Sequence, residues 1–223
     1  MKVPVIRNIL EANDRIAAEN RALLDKHRVF CFNLMSSPGA GKTTLLERTI
    51  EALAGKVGIG VIEGDITSDE DAKRVAKKGV KAVQINTDGG CHLDGGMILT
   101  AMGQFDLSKL DLMIVENVGN LVCPAEFNVG EHMKIMILSV AEGDDKPLKY
   151  PLMFRTSSAL IINKIDLLPH VDCSVEKIRK RALKINPKLT IFEVSARTGQ
   201  GIEAWAKWLK GKVARRQRHE AQG

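Results

Sequence analysis

Residues 36–43 read Ser36-Ser37-Pro38-Gly39-Ala40-Gly41-Lys42-Thr43, and this stretch restricts the chain more tightly than any other. An apolar run rich in β-formers leads into it from Val29, and a helical pattern begins near Lys42. Small residues at this spacing let consecutive backbone N–H groups curl around a phosphate, and the helix that follows adds its positive end. The chain must therefore run strand, loop, helix, with the loop at the strand's carboxyl end. This is a P-loop with one departure, since Ser36 stands where glycine is usual. Gly39, Ala40, Gly41 and Thr44 are expected to face the phosphates, Lys42 to reach the β- and γ-phosphates, and the Thr43 hydroxyl to bind Mg²⁺.

Downstream, short apolar runs alternate with helical patterns. Strands are expected at 57–62, 80–85, 110–115, 133–140, 159–163 and 189–194. Helices are expected after the P-loop, from about 67 to 78 with Thr67 or Ser68 as its cap, from 97, over 174–185 and from 202. Pro147 and Pro151 discourage a continuous helix after the charged run 142–149. Before the first strand, Ile6, Ile9, Leu10, Ile16, Ala17, Leu23 and Leu24 recur at three- and four-residue intervals. The expected fold class is α/β, a P-loop NTPase with a largely parallel central sheet flanked by helices. Three segments are expected: an amino-terminal helix within 1–28, packed on the P-loop domain or on a partner subunit; the P-loop domain itself over 29–211; and a basic tail over 212–223.

Asn163-Lys164-Ile165-Asp166 directly follows the sixth apolar run. A carboxylate at Asp166 can accept from both the ring N–H and the exocyclic amine of guanine, a donor pair that adenine lacks, so the motif selects GTP over ATP. The stem of Lys164 can lie over the base, while Asn163 is expected to tie its loop to the P-loop. Ser195-Ala196, after the seventh run, could aim a backbone N–H at the guanine oxygen. Asp65 and Glu116, each expected just past a strand, are candidates for Mg²⁺ or water coordination and, with Lys42, for the hydrolytic step; Gly119 fits a γ-phosphate contact. A water-positioning glutamine usually follows such a glycine. Here Asn120 follows, which leaves the catalytic base unassigned and implies slow turnover.

Cys91-His92 and Cys123 lie after the third and fourth runs, at one end of the expected sheet. Two thiolates and an imidazole suit Ni²⁺ or Zn²⁺, and a two-fold interface would complete a site that three ligands leave open. The residues alone leave a second reading open, in which both cysteines are small loop residues. Cys31, inside the first strand, reads as packing, and Cys173 as a residue at a helix start.

Together, residues 36–44, Glu63-Gly64-Asp65, Cys91-His92, residues 116–124, residues 142–151 and Asn163–Asp166 resemble the HypB family, GTPases that insert nickel during maturation of nickel–iron hydrogenase. The likeness covers nearly the whole chain, including Asn20-Arg21 in the amino-terminal helix. It implies a deviant-Walker metallochaperone GTPase that dimerises when it binds GTP. Cys91, His92 and Cys123 would bind Ni²⁺ or Zn²⁺ near the dimer interface, and the partners would be the small zinc-containing nickel chaperone HypA and the hydrogenase large subunit. The residues before Val29 contain no cysteine and a single histidine, His27, so storage-type nickel binding there is not expected.

Other classes predict other features. A sibling metallochaperone GTPase would serve urease or a cobalamin enzyme. A small P-loop kinase would use ATP and contradict Asn163–Asp166. An RNA-binding GTPase would carry a basic face with aromatic residues. The formal charge is +6, but Lys212, Arg215, Arg216 and Arg218 against Glu220 place a net +3 in the last twelve residues. No nucleic acid partner is therefore expected, and the tail reads as a solvated, frayed helix end. A 44% hydrophobic chain of 223 residues supports one substantial core. Four unevenly spaced cysteines, no long apolar run and no leader pattern fit a cytoplasmic chain with reduced thiols and no membrane attachment.

Overall fold

The computed structural model describes residues 5–65 and 70–219. The expected cap at Thr67 or Ser68 falls outside these residues. In chain order the elements are α1 (Val5–Lys26), β1 (Phe30–Met35), α2 (Lys42–Leu53), β2 (Ile59–Asp65), α3 (Glu70–Ala76), β3 (Lys81–Asn86), α4 (Gly95–Met102), β4 (Leu112–Glu116), α5 (Cys123–Glu126), β5 (Met133–Ser139), α6 (Lys146–Lys149), α7 (Pro151–Thr156), β6 (Ala159–Asn163), α8 (Val175–Ile185), β7 (Thr190–Glu193) and α9 (Ile202–His219). The seven strands form one sheet in the order β3-β2-β4-β1-β5-β6-β7, and every pairing is parallel.

Parallel crossovers cover both faces, so the central strands are apolar on both sides. In β1, Phe30, Phe32 and Leu34 face the layer that holds α2 and α9, while Cys31 and Met35 join clusters on the other face. Trp205 of α9 is fully buried edge-on to Phe32, and its Nε1 donates to Thr49 Oγ1 of α2 at 2.9 Å. Cys31 is buried, as its place in the strand requires.

The amino-terminal helix packs on its own domain, against α4 and β1. Its buried face carries Asn13, Ala17, Asn20 and Leu24, so two polar residues occupy the stripe that apolar periodicity marks. Proline divides the 146–156 segment into α6 and α7, each opening on a proline in its first turn.

Two expectations need correction. Strands β2 and β4 run to Asp65 and Glu116, so Glu63, Asp65 and Glu116 are ladder residues and do not follow their strands. The basic tail is not a solvated end where it is described: α9 continues unbroken through 212, Val213 is buried, and the Lys212 ammonium lies 5.0 Å over the Trp208 ring. Arg216 pairs with Asp25 at the end of α1, and Gln217 donates to Asp111. Long side chains with remote partners dock the tail, which local charge composition does not reveal. Among the described residues no helix is long and apolar enough to cross a membrane.

Candidate functional site

The P-loop joins β1 to α2, with Gly39 and Gly41 at positive φ (73° and 95°). At Gly41 a Cβ would also stand 2.6 Å from the Asn163 amide, so the position has no room for a side chain. Lys42 Nζ donates to the buried Ser36 hydroxyl at 3.3 Å, which gives the unusual first residue a contact with the phosphate-facing lysine. Asn163 Nδ2 donates to Ala40 O (2.9 Å) and Lys164 Nζ to Gly39 O (2.7 Å), so the loop after β6 is tied to the P-loop. Beside them is a cavity of about 240 Å³, lined by Gly41, Thr44, Lys164, Asp166, Leu167 and Ala196 among others. Asp166 Oδ1 is buried without a protein partner. The expected amide donors are already engaged: Ser195 N–H donates to Gln200 O and Ala196 N–H to Asn163 Oδ1. Ala196 thus holds Asn163 in place, and the acceptor left unmatched at the cavity is Asp166.

Behind the P-loop, Thr43 Oγ1 donates to Glu116 Oε1 at 3.1 Å. Register places Glu63 of β2 directly beside Glu116 of β4, and Asp71 from the first turn of α3 completes a carboxylate group within metal-ligating reach. Asp65 ends β2 outside that group, its carbonyl accepting from Thr87 N–H. Burial pushes the Glu63 carboxyl up to about 11, and the Glu116 charge adds to the shift. Burial also raises Glu116, opposed by Lys42 and by hydrogen bonds from Glu63 and Thr43. Burial and the proximity of the two charges therefore favour one proton on this pair. One carboxylate oxygen of each residue is buried without a partner. Orphaned oxygens beside the Thr43 hydroxyl form a hard donor set, which fits Mg²⁺.

The thiols and imidazole converge: Cys91 Sγ lies 3.1 Å from Cys123 Sγ and 3.5 Å from His92 Nδ1, with both cysteines as free thiols. The Cys123 thiol is pushed up by its hydrogen bond with Cys91 and by burial. Desolvation lowers His92 and keeps its ring neutral, the form that ligates a metal. The set is soft and partly exposed, and fits Ni²⁺ or Zn²⁺.

Several further residues build this arrangement. Phe127 stacks on His92 with ring centroids 3.8 Å apart. Asn117 Oδ1 accepts from Leu93 N–H and Val118 N–H, joining the two ligand loops. Asn120 Nδ2 donates to Cys91 O and its Oδ1 accepts from Val122 N–H, so the residue in the glutamine's place faces the thiols. Gly119 lies so close to Pro38 of the P-loop that a Cβ would stand 2.9 Å from its Cα. Buried Lys134 donates to the carbonyls of Pro124, Ala125 and Phe127, fixing the turn that carries Cys123. Glu142 accepts from the Ser37 hydroxyl and from Ser139 N–H, binding a further loop to the P-loop. Of these, Asn117, Gly119 and Asn120 lay in the stretch 116–124 and Glu142 in 142–151, both already singled out. The others meet their partners only through the fold.

A family model described as "CobW/HypB/UreG, nucleotide-binding domain" matches residues 30–193. The hydrogenase maturation factor HypB of Azotobacter vinelandii is 51% identical over 204 residues, spanning 92% of this chain and 67% of that one. The hydrogenase/urease maturation factor HypB of Helicobacter pylori is 42% identical over 214 residues, spanning 93% of this chain and 86% of its own length. A crystal structure described as HypB from Helicobacter pylori in complex with nickel superposes with a TM-score of 0.87 at 40% identity, covering 92% of this chain and 96% of that one. The chain belongs to the CobW/HypB/UreG family of nucleotide-binding domains, and within it to the HypB hydrogenase maturation factors.

Proposed function

We propose that this chain is a GTP-hydrolysing nickel metallochaperone for nickel–iron hydrogenase, with metal binding coupled to GTP-dependent dimerisation. The observation that carries the reading is the continuity of one loop. Glu116 meets Thr43, Gly119 packs on Pro38, Asn120 bonds the Cys91 carbonyl, and Cys123 meets Cys91. A change at the γ-phosphate therefore reaches the thiols within eight residues of chain.

In this reading Asp166 accepts from guanine, Lys164 covers the base, and the amides of residues 39–44 with Lys42 cradle the phosphates. Thr43 and Glu116, with Glu63 and Asp71 beside them, would hold Mg²⁺, which would supply charge neutralisation at the phosphates. Asn120 is engaged with the Cys91 carbonyl and the Val122 amide, so turnover of the isolated protein is expected to be slow. Ni²⁺, or Zn²⁺ in its place, is cargo on Cys91, His92 and Cys123, and ligands from a second copy complete its shell. Delivery runs through the small zinc-containing chaperone HypA to the hydrogenase large subunit in the cytoplasm, without nucleic acid or membrane. The name of the Helicobacter pylori relative favours one second reading, in which the client is urease; reconstitution of each apo-enzyme separates them.

The test is Ni²⁺ titration of wild type and Cys123→Ala with GDP and with a non-hydrolysable GTP analogue, while following mass. Tighter nickel binding and a doubled mass with the analogue are expected in wild type, and Cys123→Ala should lose this coupling of nickel affinity to nucleotide while keeping GTP binding. Equal affinity in all four samples would overturn the coupling.

A further inference from the structure

Asn13 and Asn20 of α1 take no part in the reaction proposed above, yet they grip both loops of the thiol–imidazole site. They lie seven residues apart on the buried face of the helix, with Ala17 between them. Asn13 Oδ1 accepts from Gly95 N–H at 2.8 Å, and its Nδ2 donates to Asn128 O at 2.8 Å. Asn20 Nδ2 donates to Gly95 O at 2.7 Å and to Val129 O at 3.0 Å. Gly95 opens α4 three residues after His92, and Asn128 directly follows Phe127, the residue stacked on the His92 ring. Arg21 Nε adds a bond to Gly130 O at 2.8 Å.

The contact is backbone against backbone. A Cβ at Gly95 would stand 3.1 Å from Ala17 N, and one at Gly130 would stand 2.5 Å from Asn20 Cβ. A buried amide in a helix interior is costly unless it is satisfied. Here Asn13 spends its donor and its acceptor, and Asn20 both hydrogens of its amide, on the same two loops, one from each side of the metal ligands, while Asn20 Oδ1 is buried without a partner. The far end of α1 is held separately, through Asp25 to His132 and Arg216.

We propose that α1 is a positioning clamp for the metal site: Asn13 and Asn20 hold the Cys91-His92 loop and the turn from Cys123 to Phe127 in register, and loosening α1 weakens metal binding. The proposal rests on the reading of Cys91, His92 and Cys123 as ligands. Linkage makes the effect reciprocal, so metal bound at the thiols must tighten the docking of α1.

The experiment uses the full chain, with Ni²⁺ and GDP as probes. Asn13→Ala and Asn20→Ala should each weaken Ni²⁺ binding by about 10-fold or more, the scale of changes behind a metal ligand, with weaker thiolate-to-nickel absorption and wild-type GDP affinity. Asn13→Asp keeps the acceptor for Gly95 N–H and loses the donor to Asn128 O, so it should fall between wild type and Asn13→Ala. It also carries the test if Asn20→Ala does not fold. Exposed α1 variants Arg15→Ala and Glu19→Ala should bind Ni²⁺ as wild type does. Ni²⁺ should slow hydrogen exchange across residues 10–24 in wild type and not in Cys123→Ser. Wild-type nickel affinity in the asparagine variants, or a parallel loss of GDP and Ni²⁺, would overturn the clamp. Wild-type nickel affinity in Cys123→Ser would instead overturn the ligand assignment, so the two failures are distinct.

Discussion

Two trios of candidate ligand side chains stand at the carboxyl end of the same sheet, and they differ in almost every physical respect. Glu63, Asp71 and Glu116 are oxygen donors, and both glutamates are shut away from solvent. Cys91, His92 and Cys123 are sulfur and nitrogen donors with partial exposure. A buried oxygen set beside the P-loop suits an ion that arrives and leaves with nucleotide. An accessible soft set suits an ion that another protein must reach. Asn120, bonded to Cys91 O and following the Gly119 that packs on Pro38, lies between them.

The separation breaks first at Lys42. Lys42→Ala removes the cation that faces the phosphates and Glu116, and should cut GTP turnover by at least about 10³-fold. Nickel affinity by titration should remain within about twofold, since no ligand of the soft trio is touched; a matching loss would merge the two trios into one site. The converse variant is Cys91→Ser. It should weaken Ni²⁺ binding by about 100-fold, at least the upper range for changes around a ligand, with GDP affinity unchanged by calorimetry.

Asn120→Ala tests the connection. Both sites should survive, while the ratio of nickel affinities with GTP analogue and with GDP falls towards unity, removing a coupling on the order of 1–3 kcal/mol. A ratio equal to that of wild type would route the coupling elsewhere. The smallest effect concerns the Glu63 proton. Its carboxyl is raised from 4.5 to about 11, so between those values the folded chain holds a proton that the unfolded chain has released. Stability without Mg²⁺ should therefore fall as pH rises through that window, by at most about 1.4 kcal/mol per pH unit. Glu63→Gln should flatten the slope and raise the melting temperature at pH 9 by about a few degrees. Parallel slopes in thermal melts of the two proteins would place the proton elsewhere.

Strand–helix alternation made the sheet legible, because parallel strands buried on both faces read as apolar runs with little between them. Elements of four to six residues, α5 and α7, carry too little periodicity to be read. The thiol–imidazole set was legible because its residue types are rare and their loops share one end of the sheet. Glu63 was passed over for Asp65 because the choice depends on strand length and register, which pair Glu63 with Glu116. Asn13 and Asn20 sit at helical spacing among apolar residues. Periodicity treats them as interruptions, and only their partners near 95 and 129 give them meaning.

The stacking of Trp205 on Trp208, 5.6 Å apart in α9, has an optical consequence. These are the only two tryptophans in the chain. Both belong to the helix layer of α2 and α9, with Trp205 bonded to Thr49 about two turns beyond the P-loop lysine and threonine. Ultraviolet-excited emission from this protein is therefore a built-in reporter of the P-loop helix. The thiols lie in loops that pack with the opposite layer, so quenching on addition of Ni²⁺ would signal a rearrangement carried through the sheet, and silent binding would have to be followed by absorption alone.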